Sequence, residues 1–266
     1  MEQHVGTGAR DCAQGGPTAA ALGVGVIAPY DFALDRELWR WVPDSVNLLL
    51  TRTPHHDLPV SVDQAEAVSG GPMLTACARS LSVTCPDVVA YACTSGSFVH
   101  GLDGEARLRQ TIESAGVPRA VTTSGALLQA LAGLGVRRLA VATPYDAAVT
   151  TRLCTFLAAA GVEVVSCSHL GLTEHVWRLP PAEVTALVGR CAHADADAVF
   201  ISCTNVPTYD LLAPMEAEHG IPVLSANQVT LWSALAAVGL RLVGDGQSLV
   251  DVAGPTRACR DVGASG

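Results

Sequence analysis

From residue 22 onward the chain alternates short apolar runs with longer stretches whose apolar positions recur every three or four residues. The runs Gly23–Ala28, Val46–Thr51, Val88–Ala92, Arg119–Thr122, Leu139–Ala142, Glu163–Ser168, Ala198–Ser202 and Pro222–Leu224 predict strands. Most are rich in Val, Ile and Leu with little polar alternation, as in a parallel sheet covered on both faces. The stretches between them predict helices over Asp63–Ser82, Gly104–Ala115, Ser124–Gly133, Ala147–Ala160, Ala182–Ala194, Tyr209–His219 and Gln228–Val238. Strand and helix in regular turn is the pattern of an α/β fold. Residues 1–19 and 256–266 are rich in Gly, Ala and Ser and read as flexible tails.

A repeat lies over this pattern. Val24–Asp31 (VGVIAPYD) reads like Leu139–Asp146 (LAVATPYD), and Tyr91–Ser95 (YACTS) like Ile201–Asn205 (ISCTN). Gly116–Pro118 matches Gly220–Pro222, and Ala126–Gly135 resembles Leu231–Gly239. The first three offsets are 115, 110 and 104 residues, always in the same order, so one β/α layout occurs twice. The expected architecture is two similar α/β halves related by a pseudo-twofold axis, each a mostly parallel sheet flanked by helices. We assign residues 20–125 with 226–255 to the first half and 126–225 to the second. Ligands of open α/β sheets sit beyond the carboxyl ends of the strands. Both Pro-Tyr-Asp and both Cys-Thr segments fall there, so the cleft between the halves is expected to receive a cysteine from each side.

Composition narrows the chemistry. Of 266 residues, 49% are hydrophobic and 15% charged, and the formal net charge of −9 disfavours nucleic acid or an anionic membrane as partner. All 16 basic residues are arginine, which removes lysine Schiff bases and the P-loop lysine. No apolar stretch is long enough to span a membrane, and the first 20 residues lack the apolar run of a secretory signal. A soluble, cytoplasmic protein is expected. Nine cysteines with no C-x-x-C pair indicate neither a disulfide framework nor a zinc ribbon.

The question is then which cysteines work. Cys77, Cys85, Cys154, Cys167 and Cys191 read as space-filling thiols, as do Cys12 and Cys259 in the tails. Cys93 and Cys203 differ, because each ends a strand at the matching place of the repeat and is trailed by hydroxyl or amide side chains. A thiol there can serve as nucleophile or as proton donor and acceptor.

Strand-Cys-Thr in each half, with the second followed by Asn205-Val206-Pro207, resembles the aspartate/glutamate racemase superfamily. Within it the chain is similar to the branch of maleate cis–trans isomerases and arylmalonate decarboxylases. Further carriers are Gly135–Tyr145 and Leu170-Gly171-Leu172-Thr173. The resemblance implies an enzyme without cofactor or metal, acting on a small carboxylate or dicarboxylate, and a homodimer. It also implies that two cysteines mark isomerases and racemases, whereas decarboxylases keep only the second. On that basis Cys93 would add as thiolate to an olefinic carbon of a maleate-like acid and Cys203 would transfer the proton. Thr94, Ser95, Tyr145 and the backbone amides of Thr204 and Asn205 would hold substrate oxygens, with Pro29 in the first loop and His175 as a further binding candidate. The alternatives are a two-cysteine racemase of the aspartate, glutamate or hydantoin type, an arylmalonate-type decarboxylase, and a catalytically silent carboxylate-binding protein.

The first loop departs from the isomerase pattern. It reads Pro29-Tyr30-Asp31-Phe32, with no asparagine to grip a carboxylate. The plain reading of Asp31 is an N-cap for a helix over Phe32–Val42. Phe32, Trp39 and Trp41 are core residues or a lid, Arg52 belongs to a structural ion pair, His55-His56-Asp57 is no metal cluster, and Arg137-Arg138 is a solvated turn.

Overall fold

The computed structural model describes residues 22–192 and 194–254; the expected tails, with Cys12 and Cys259, lie outside the described residues. Eight strands form two sheets. β1 (Leu22–Ala28), β2 (Val46–Arg52), β3 (Val88–Tyr91) and β4 (Ala120–Thr122) make the first, and β5 (Arg138–Thr143), β6 (Glu163–His169), β7 (Ala198–Ile201) and β8 (Val223–Ser225) the second. Their orders are β2-β1-β3-β4 and β6-β5-β7-β8, and every pairing is parallel. The repeated sequence thus folds into a repeated sheet. The central strands are apolar on both faces because helices cover both: Leu139, Ala140, Val141 and Ala142 on β5 and all four residues of β7 are fully buried.

The helices are α1 (Asp35–Trp39), α2 (Val62–Ala67), α3 (Gly71–Ser82), α4 (Thr94–Phe98), α5 (Gly101–Ser114), α6 (Thr123–Leu134), α7 (Ala147–Ala159), α8 (Pro181–Cys191), α9 (Tyr209–His219) and α10 (Ala226–Ala237). The single helix expected over Asp63–Ser82 is two. Gly70 is extended at the break and Pro72 sits in the first turn of α3, where its missing N–H costs nothing. The helix expected over Phe32–Val42 shrinks to α1, whose N-cap is Leu34 with no side-chain cap, so Asp31 caps nothing. Phe32 and Trp41 are core, the Trp41 indole donating to Gln247 Oε1 at 2.9 Å, whereas Trp39 is exposed.

α6 and α10 follow the last strand of each sheet and are capped alike, by Thr122 on the Gly125 N–H and by Ser225 on the Gln228 N–H. They pack on each other, with the hydroxyls of Thr123 and Thr230 2.8 Å apart. α10 also lies against β3, β4 and β8, so the last helix joins the two sheets. Of the expected filler cysteines, Cys77 and Cys191 are buried, but Cys85 and Cys167 are exposed and Cys154 half-buried. No helix among the described residues is long and apolar enough to cross a membrane.

Candidate active site

β3 delivers the chain through Ala92 to Cys93, which is extended (φ −141°) and is the N-cap of α4. The Cys93 sulfur takes the place of the usual hydroxyl or carboxylate cap, accepting the Gly96 N–H at 3.4 Å. Gly96 is required there. A Cβ would overlap the Tyr91 hydroxyl, itself fixed by donating to the Val68 carbonyl at 2.7 Å, and would lie 3.1 Å from the Cys93 sulfur. Gly96→Ala is therefore expected to lower stability by about 1–3 kcal/mol, as overpacking does. It should also displace Cys93; urea melts and the rate of Cys93 alkylation measure the two effects.

β7 delivers Ser202 and then Cys203, which turns at φ +82°, a left-handed conformation that disfavours side chains. The turn is held from several directions. Ser202 N–H donates to the Ala142 carbonyl (2.9 Å), Val206 N–H to that of Cys203 (3.2 Å), and Asn227 Nδ2 to that of Thr204 (2.9 Å). Thr204 Oγ1 donates across the cleft to the Ala92 carbonyl at 3.2 Å, one residue before Cys93. The two cysteine turns are thus tied directly together.

Cys93 and Cys203 line one cavity, with Pro29, Thr94, Ser95, Tyr145, Thr204 and Asn205 around them. Its volume is about 20 Å³, room for little more than one water. Val60 and Val176 also line it, and Val60 N–H donates to the Thr173 carbonyl at 2.8 Å, so straps from the two halves meet beside the cavity. Outside lies a vestibule of about 440 Å³ that shares Asp31, Val60 and Gln64 with the inner cavity. Thr94 Oγ1 is buried in the inner wall with no hydrogen-bond partner in the protein. Leaving a buried hydroxyl unpaired costs about 1–3 kcal/mol, an arrangement that a bound oxygen would relieve.

Burial pushes the Cys203 thiol up to about 12, against the opposing Asn205 N–H, 3.4 Å from its sulfur, and Tyr145. Burial also raises Cys93, opposed by Tyr91, the Gly96 N–H and Ser95, whose hydroxyl is 3.9 Å from the sulfur. The charge of Asp31 acts on both sulfurs in the raising direction. Asp31 is itself raised by burial, with Asn205 and Gln64 opposing. Tyr145 is fully enclosed beside Ser202 and Cys203, and burial holds its phenol well above the usual range, hence neutral and able to donate.

Two expected site residues stand differently. His175 is exposed, turns at φ +52° and lines the vestibule, so it does not reach the cysteine cavity. Asn205 lines that cavity but is committed. Its backbone N–H faces the Cys203 sulfur, its Oδ1 accepts the Ala33 N–H (3.0 Å), and its Nδ2 donates to the Asp31 carbonyl (3.0 Å). It fastens the first loop to the second half. Arg52 is paired with Asp35 at 2.6 Å, as expected, and Arg138 pairs with Asp197 at 3.0 Å. Among the described residues no three His, Cys, Asp or Glu side chains are placed to hold a metal ion. Sequence reasoning missed Gln64, Val60 and Val176, which carry no local signal, and placed Asp31 in a cap although its repeat of Asp146 marked it for attention.

Residues 68–250 match the arylmalonate decarboxylase family. Arylmalonate decarboxylase of Bordetella bronchiseptica is 34% identical over 168 residues, 61% of this chain and 69% of that protein. Maleate isomerase of Geobacillus stearothermophilus is 30% identical over 173 residues, 62% and 69% of the two chains. A crystal structure of a double mutant of arylmalonate decarboxylase in the liganded form superposes with a TM-score of 0.80 at 29% identity, covering 86% of this chain and 99% of that one.

Proposed function

The chain belongs to the arylmalonate decarboxylase family, and from that membership and the shared cysteine cavity we propose a cofactor-independent cis–trans isomerase of a maleate-like unsaturated acid. The observation that carries this reading is the presence of two sulfurs in one small cavity, one from each half. A single proton-transfer thiol needs no opposite number; an addition–rotation–elimination sequence does.

In this mechanism Cys93 as thiolate adds to one olefinic carbon, forming an S–C bond, and the π electrons move to the neighbouring carbon and its acyl group. Thr94, Ser95 and Tyr145 donate to the oxygens that gain charge. Cys203, protonated at neutral pH in its buried setting, gives its proton to that neighbouring carbon. The former double bond now rotates. The Cys203 thiolate takes the proton back, the double bond re-forms as trans, and Cys93 leaves as thiolate, so nothing is gained or lost overall. Replacing one hard twist by an addition and an elimination lowers the barrier. The strap at Val60 and Thr173 must open for substrate to reach the sulfurs, a lid motion of an ordinary kind.

Incubation with maleate, its half-amide, aspartate, glutamate and phenylmalonate in D2O, read by proton NMR, tests the proposal. The expected result is conversion of a cis acid to its trans isomer without release of CO2. Deuterium exchange at an amino-acid α-carbon, with no cis–trans conversion, would replace it by the racemase reading, which the same pair of sulfurs would serve. CO2 release from phenylmalonate alone would replace it by decarboxylation. The raised Cys93 thiol sets the pH profile. The reactive thiolate is the minor form, so kcat/KM is expected to climb by up to about tenfold per pH unit between about pH 7 and pH 9.

A further inference from the structure

The two halves carry the same Pro-Tyr-Asp triplet after β1 and β5 but turn it in opposite senses. In the second half Asp146 faces outward and caps α7, accepting the Val149 N–H at 2.9 Å, while Tyr145 is buried in the cysteine cavity. In the first half no helix begins beside Asp31. There Tyr30 takes the outer place, donating to the Leu58 carbonyl (3.0 Å) and accepting from Gln64 Nε2 (3.1 Å), and Asp31 lines the cavity. The cavity therefore has neutral donors on its inner wall, Tyr145 and the unpartnered Thr94, and a carboxylate at its mouth.

The way in has the same sign. The vestibule adds Asp57 and Glu174, and neither cavity is lined by an arginine; lysine is absent from the chain. Arg52 is held by Asp35, and Arg178 stacks on Trp177 at the vestibule wall, 4.6 Å from the ring centre. The basic side chains lining the vestibule are His55 and His175. A dicarboxylate would set its second charge against Asp31 in a space that screens poorly. An N–H group would instead satisfy that carboxylate and offset its charge, which otherwise opposes thiolate formation at both sulfurs.

We propose that Asp31 fixes the substrate class as a cis-unsaturated monocarboxylate whose far end carries an N–H donor, an amide or an ammonium, in place of a second carboxylate. The proposal rests on the isomerase reading above and gives it a substrate. The test compares kcat/KM for maleate, maleamate and cis-γ-aminocrotonate, in the native protein and in Asp31→Asn. The native protein is expected to favour at least one of the two nitrogen-bearing acids over maleate by at least about 100-fold, the scale of setting a second carboxylate against Asp31 in place of a hydrogen-bond donor. Which of the two it favours separates amide from ammonium. Asp31→Asn is expected to raise maleate turnover at least about tenfold and to lower that of the preferred acid, mainly through KM. Equal use of maleate and the nitrogen-bearing acids by the native protein overturns the assignment alone, whatever the variant does. A native preference that Asp31→Asn leaves intact also overturns it. Failure to turn over any of the three, with none protecting Cys93 or Cys203 from iodoacetamide, overturns the isomerase reading and the assignment together.

Discussion

Cys93→Ala is expected to lower kcat/KM for the cis acid by about 10⁴- to 10⁶-fold, the scale seen when a covalent nucleophile is removed. The reason is structural as well as chemical. Cys93 stands at the end of β3 with its sulfur fixed by the Gly96 N–H, and the Ser95 hydroxyl at 3.9 Å is too distant to take over its attack without moving the loop. Alanine removes the sulfur and with it the cap on the Gly96 N–H, so stability should fall by only about 1 kcal/mol while the fold is kept. Steady-state kinetics on the folded variant decide the matter. Activity within tenfold of native would mean that no bond to Cys93 is needed, and CO2 release surviving in this variant would identify a one-thiol decarboxylase.

Cys203→Ala is expected to fail in a different way. The thiolate of Cys93 remains, so addition can begin, but the proton donor held neutral by burial is gone. Turnover should fall by about 10²- to 10⁴-fold, the usual contribution of a positioned acid–base group. Slow protonation from solvent would let an adduct on Cys93 build up, and the intact protein would gain the mass of one substrate molecule. The Cys93→Ala protein gains nothing under the same conditions. Two variants of one cavity thus report two separate steps, and an adduct on residue 203 in place of residue 93 would reverse the assigned roles.

Much of this architecture was legible in the chain because its signals were local. The apolar runs of β1 to β8 fix the strands to within a residue of their expected ends; the signal is cleanest in β3 and β7, which are buried throughout, and β6 is read correctly although none of its residues is fully buried. The repeat of Cys-Thr at a strand end located both sulfurs. What failed was decided by tertiary contacts. Asp31 has the sequence of a cap, but the loop that follows is pulled toward the second half by Asn205 and delays the helix to Asp35. Asn205 was expected through its backbone amide, and what no sequence pattern announced is that its side chain is the fastener that does this. His175 fell outside the cavity because the second strap, carrying Val176 inward, turns the histidine outward. Gln64 and Val60 reach the site from a segment far away in sequence, and no pattern within that segment announces it.

The backbone at residue 203 also bears on how such a protein ages under mutation. A glycine would rest easily at φ +82°, and a thiol does not. Thermal screening of random variants should therefore find one of its readiest gains at the position whose sulfur the reaction can least forgo. Hardening the molecule against heat and keeping it alive as a catalyst pull in contrary directions at that one peptide unit.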